Sequence, residues 1–336
     1  MAYTTIDDPE AYFQVNTYTG DGNDNRDLVL PGDTDMQPDM IWTKNRDTTD
    51  PHTIVDAVRG GGETIYPNAD DDEDTHGLGL TAFNSDGYRV RTGANWNTNT
   101  EKYVGWCWKE SATAGFDIVT YTGNGTDDTD ISHNLSAVPH MIICKVRNVA
   151  GEQWKVYHHK NTSAPETDFL RLEDTAATAD DASVWSDEAP TSSVFTLGDT
   201  NGINQNTKLF VSYLWSEKQG FSKFGSYVGN GNADGPMIFL GFRPAFILTK
   251  RTDGGSNYWT IWDNKRDPDN WCGQKIYPNA TNAEQTESTG NLDFVANGVK
   301  IRNNGGDYNG SGQTYIYAAF AEAPFVNSEG VPCNAR

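Results

Sequence analysis

The sequence predicts an all-β chain made of three tandem antiparallel β-sandwich modules. Three observations predict it: an internal repeat, period-2 apolar patterning, and an aromatic-rich composition with no helical periodicity. The segment TYTGDGN around Tyr18 returns as TYTGNGT around Tyr121 and as SYVGNGN around Tyr227. A second landmark follows each one: PDMIWTKNR from Pro38, PHMIICKVR from Pro139 and PAFILTKR from Pro244. A third closes each copy: KYVGWCWKE to Glu110, LFVSYLWSE to Glu217 and TYIYAAFAE to Glu322. The pentapeptide IYPNA occurs at 65–69 and again at 276–280. Landmarks in a fixed order, about 105 residues apart, mark a tandem repeat.

The copies are residues 1–112, 113–219 and 220–336, with boundaries at the small-residue stretch 111–115 and at 217–220. The links are short, so the modules are expected to sit close together, each with its own core, stacked end to end. Within a copy the opening landmark reads as a strand running into a Gly-rich turn, where glycine permits a tight hairpin or bulge. MIICKV and FILTK are continuous apolar runs of the kind that buried strands show. Shorter β segments follow at 53–58, 87–91, 154–157, 194–197 and 259–262. In the closing landmark Val104, Trp106 and Trp108 alternate on one face, matched by Val211, Tyr213, Trp215 and by Ile316, Ala318, Phe320. The other face carries Tyr103, Gly105 and Cys107, so this strand is expected at the middle of its sheet. About seven strands per copy suit a jelly-roll or concanavalin-like sandwich.

Aromatic residues make up 12% of the chain, with 10 Trp, 15 Tyr and 14 Phe, a bias toward strands. The formal charge is −22, from 25 Lys+Arg and 47 Asp+Glu. A surface this acidic repels phosphate backbones and anionic lipid, which argues against nucleic acid or membrane insertion. No run approaches the ~18 apolar residues of a membrane span. The first twelve residues show neither a basic region nor an apolar stretch, so no secretory signal is expected. Cys107, Cys144 and Cys272 sit in apolar runs, and with Cys333 they form no C-x-x-C pair. Buried free thiols are expected, as in a reducing cytoplasm.

Two groups of residues could bind something. Asp70, Asp71, Asp72, Glu73 and Asp74 form the densest acidic run; calcium is the cation such an oxygen-rich loop would hold, but the run lacks EF-hand ligand spacing and reads equally as a solvated loop, and no other cofactor is expected. The third copy carries Trp259 and Trp262, then Asp267, Asp269, Asn270 and Trp271. Indole faces beside polar side chains are how sandwich lectins hold sugar rings; the other reading is that these tryptophans pack the core of the sandwich. The six histidines occupy no common place in the three copies, and neither G-x-S-x-G nor H-E-x-x-H occurs, so no catalytic residue is assigned and an enzyme is not expected.

The opening MAYTTIDDPEAYFQVNTYTGDG, the closing AFAEAPFVNSEGVPCNAR, and the internal VDAVRG, FDIVTYTGNG, PTSSVFTLG and GFSKFGSYVGNG resemble a repeat family of virion proteins from marine tailed phages, especially those infecting cyanobacteria. The resemblance spans the whole chain. It implies a structural protein on the virion exterior, assembled in the host cytoplasm, serving as a tail or neck fibre or an adhesin for host-surface glycan. Its alternatives are a capsid decoration protein or a glycan-degrading tailspike. It implies other virion proteins as partners and a homo-oligomer, a trimer by analogy with phage fibres.

Overall fold

The structure, a computed structural model, describes residues 2–287 and 290–333. The chain is all-β, and its described helices are single turns. Three four-stranded antiparallel sheets carry the fold, and all have the same topology. In spatial order the first is Phe13–Thr19, Lys102–Trp108, Met40–Asn45, Thr53–Asp56. The second is Phe116–Thr122, Leu209–Trp215, Met141–Val146, Lys155–His158. The third is Ser222–Val228, Thr314–Pro324, Phe242–Arg251, Thr260–Asp263. Every strand pairs within its own copy, and the closing landmark is a central strand each time, hydrogen-bonded on both sides. A small outer sheet of two or three strands covers one face of each large sheet.

The alternation in the closing strand explains the packing. Cys107 points outward into a local core with Ile41, Val55, Tyr88 and Trp96. Leu214 points outward in the same way, among Ile142, Tyr157 and Trp185. The residues of the other parity do not build three separate cores. Trp106, Trp108, Tyr213, Trp215, Ala318 and Phe320 belong to one cluster that draws on all three copies. The ring of Trp108 lies 6.3 Å from that of Trp215 and 5.6 Å from that of Phe320, which are its equivalents in the other two copies. Phe13 of the first copy stacks on Phe320 of the third at 5.1 Å.

The end-to-end arrangement with independent cores is therefore corrected. The three large sheets turn their inner faces toward a common pseudo-threefold axis, and the third copy closes back on the first. The physical reason is that each large sheet is apolar on both faces. The outer sheet covers only one, and nothing but the other copies covers the second.

The contacts between copies repeat around the ring. Glu73 N donates to Arg147 O at 2.6 Å, Thr178 N to Thr252 O at 3.0 Å, and Glu284 N to Arg46 O at 2.8 Å. The carbonyls of Tyr66, Arg171 and Tyr277 each accept a ring N–H from the next copy. The donors are Trp154 at 3.2 Å, Trp259 at 2.8 Å and His52 at 3.1 Å. His52 must carry its proton on Nε2, because Nδ1 accepts from the indole of Trp42. Burial holds its pKa well below the usual histidine range, so the ring is neutral.

A shared core predicts shared cooperativity. Trp108→Ala should cost about 3–5 kcal/mol and lower the stability of all three copies together. Trp108→Phe, which copies the residue of the third repeat, should cost less. Denaturant unfolding followed by near-UV circular dichroism should show one transition in both variants; loss of one third of the signal at lower denaturant would contradict the shared core.

Candidate functional site

The recurring turn is a structural clamp. Tyr18, Tyr121 and Tyr227 each donate a hydroxyl to the carbonyl of Trp96, Ile203 or Tyr308 at 2.7 Å. The next residues are Asn97, Asn204 and Asn309, each closing a one-turn helix. Each asparagine amide reaches back into the turn: Asn97 to Asp21, Asn204 to Asn124, Asn309 to Asn230. The two glycines of the motif serve different needs. A side chain on Gly20, Gly123 or Gly229 would meet a backbone oxygen at 2.0–2.3 Å, whereas Gly22, Gly125 and Gly231 have φ of +66 to +69°. The asparagines escape a reading of local motifs; their signal is the third residue of N-W-N, G-I-N and D-Y-N, recurring with the repeat.

Three lysines, Lys44, Lys145 and Lys250, repeat in the same way. Each is buried, and each caps two carbonyls rather than a carboxylate. Burial drives the amines of Lys44 and Lys250 down to about 8. Lys145 takes the carbonyl of Asp70 at 3.0 Å, and Lys250 takes that of Thr175 at 3.1 Å, so these two grip the preceding copy.

The acidic run divides by direction. The side chains of Asp70, Asp71, Asp72 and Asp74 face solvent. Glu73 turns inward, where Arg59 reaches its carboxylate at 2.6 Å and Arg147 of the second copy reaches it at 2.7 Å. Arg59 also binds Asp56 at 2.5 Å, and Asp56 accepts the hydroxyl of Tyr213 at 2.7 Å. Burial pushes the Glu73 carboxyl up, but the two guanidiniums outweigh it and hold it below the usual carboxylate range. The same chain recurs between the third and first copies: Asp263 to Arg266 at 2.6 Å, Arg266 to Glu284 at 3.0 Å, Arg46 to Glu284 at 2.9 Å, and Trp106 Nε1 to Asp263 at 3.0 Å. Among the described residues no three His, Cys, Asp or Glu side chains gather as a metal cluster.

The aromatic set of the third copy also divides. Trp259 is 1% exposed and Trp262 is fully buried. Trp259 reaches across to Arg171, and Trp262 packs edge-on to Tyr308 at 5.2 Å. Neither indole offers a face to a sugar. Trp271 is 49% exposed. Its loop is tightly anchored. Asp267 accepts from the backbone of Gly273 and Gln274 at 2.7 and 2.6 Å. Asn270 exchanges two hydrogen bonds with the backbone of Phe294. Of the six residues read as a glycan surface, Asp269 and Trp271 remain with free outward-facing groups.

The family described as Domain of unknown function (DUF7483) matches residues 8–324. The chain belongs to the DUF7483 family. No curated protein matches it. The matched span runs across all three copies, in keeping with a DUF7483 unit that is the closed ring rather than one repeat.

A carboxyl pair at the junction of the first two copies gives a pH signature. Burial, then a hydrogen bond with Asp117, pushes Glu110 up to about 7. A raised carboxyl favours the folded state while it is protonated. That contribution is present at low pH and is lost as pH rises through about 7. Glu110→Gln should therefore gain stability relative to the parent at pH 8 compared with pH 5, read as melting temperatures; an equal difference at both values would refute it.

The buried network gives a second test. Glu73→Ala leaves two guanidiniums without their shared carboxylate and should cost about 3–5 kcal/mol. Asp71→Asn and Asp72→Asn should each stay within about 0.5 kcal/mol of the parent. Urea melts of the three variants check the contrast.

Proposed function

We propose that this DUF7483 chain is a structural component of the exterior of a bacteriophage particle, a tail or neck fibre or an adhesin that contributes to attachment at host-surface glycan. The observation that carries the reading is how the repeated positions are used. Tyr18/Tyr121/Tyr227, Asn97/Asn204/Asn309 and Lys44/Lys145/Lys250 all hold shape. What the repeat preserves is a rigid ring that sets the same loops out around one axis, a use in which form and display matter and turnover does not. The acidic surface and the resemblance to marine phage virion proteins support the same setting.

Trp271 is the residue best placed to meet a sugar, with Asp269 beside it on an anchored loop. The ring also bears on assembly. A trimeric fibre obtains threefold symmetry from three chains, whereas here one chain supplies it. One chain thus presents threefold-related loops to its neighbours, which on this reading are other virion proteins and further copies of itself.

Immunogold labelling of mature particles tests the location: label on the exterior is expected, and particles without label, or label only after capsid rupture, would overturn it. Competition of phage adsorption by purified protein tests the adhesin role. Trp271→Ala should weaken competition about tenfold, as loss of an aromatic anchor does. If the parent protein does not compete, capsid decoration becomes the better account.

A further inference from the structure

Two of the three seams between copies are locked by buried charge, and the third is not. At the seam of the second and third copies all four charged positions are neutral together. His158 stands where the others have Asp56 and Asp263, as its pairing with Met141 matches theirs with Met40 and Phe246. Asn161 stands for Arg59 and Arg266, Thr178 for Glu73 and Glu284, and Thr252 for Arg147 and Arg46. Thr178 donates its hydroxyl to Asn161 at 2.6 Å, and His158 donates Nε2–H to the carbonyl of Tyr317 at 3.1 Å. The concerted change is what electrostatics requires, since any one charge left alone there would be buried without a partner.

Histidines gather at this seam. The rings of His140 and His159 are 4.5 Å apart, and those of His158 and His159 are 5.4 Å apart. His159 bonds the carbonyl of Phe224 at 2.8 Å, across the seam, and the Phe224 ring lies 6.3 Å from both His140 and His158. The charged groups facing the three imidazoles are Lys160, Lys218 and Glu217. The one carboxylate among them, Glu217, accepts from Phe224 N, and its own backbone N–H donates to His140 Nδ1.

We propose that the seam between the second and third copies is the most acid-sensitive opening of the ring: it gathers three imidazoles where the third–first seam has His52, and it loosens furthest on mild acidification. Three clustered imidazoles beside two ammonium groups take up protons less readily while the seam is shut. Burial first, then the neighbouring imidazoles and Lys160, hold His158 at about 3 and His159 at about 4. Once opened, they return to the ordinary value of about 6.5. Their contribution to closure is thus complete above about 6.5 and declines as pH falls toward those depressed values, by up to about tenfold per pH unit for each proton taken up. Glu73 does not follow in that window: its carboxyl, held below the ordinary range by Arg147 and Arg59, stays ionised.

The three equivalent backbone bonds between copies provide an internal comparison. Hydrogen exchange of the full chain, corrected for intrinsic rates, should be measured at pH 7 and pH 5 at the amides of Thr178, Glu73 and Glu284. The protection of Thr178 should fall at least about tenfold further than that of the other two. Equal losses at all three amides, or an unchanged Thr178, would overturn the proposal. His158→Gln keeps a donor for Tyr317 and cannot take up the proton, so it should reduce the excess loss at Thr178. If that variant fails to fold, the comparison of the three amides in the parent chain decides alone.

Discussion

The constraint on which this structure depends is that each large sheet is apolar on both faces. One face of the closing strand carries Trp106 and Trp108, and the other carries Tyr103 and Cys107, all buried. A sheet of this kind needs two covers. The small outer sheets supply one. The second comes from bringing three inner faces together, and three sheets facing one axis close a ring. At about 25 cal/mol per Å² of apolar surface removed from water, burying an indole such as Trp108 is a contribution of several kcal/mol that a lone repeat forgoes. Burial of the inner face thus requires neighbouring copies.

Closure then decides where charge can go. The edges of neighbouring sheets meet at largely buried seams, and an ion that is fully buried there, such as Arg59 or Arg266, survives only with full pairing. Arg59 and Arg266 meet this demand by touching two carboxylates each and a backbone carbonyl besides. Neutral groups serve the third seam. Such networks add less net stability than apolar packing would, but they fix which edge meets which. The acidic exterior belongs to a different regime, where exposed carboxylates are solvated and screened by salt.

Much of this was legible in the sequence. The landmarks located the repeat, the period-2 alternation located the strands, and the two-sided apolar pattern of the closing strand placed it at the centre of its sheet. That same pattern also pointed to a second cover, and reading the modules as an end-to-end stack left the inner face unaccounted for. The seams were not legible, because Arg59, Glu73 and Arg147 are brought together by ring closure and carry no local motif. The tryptophans of the third copy show how coarse composition is as a guide. Trp259 and Trp262 lie at and within a buried strand, while Trp271 lies on a loop, and only the fold separates them. Glu73 was likewise hidden in a run of five acids of which it alone faces inward.

The central claim is the closed ring with one shared core, and small-angle X-ray scattering of the purified chain tests it most directly. A compact body of this length has a radius of gyration of about 20 Å, the value the ring predicts. Three modules of about 105 residues stacked end to end would give about 30 Å by the same scaling, and that result would contradict the account.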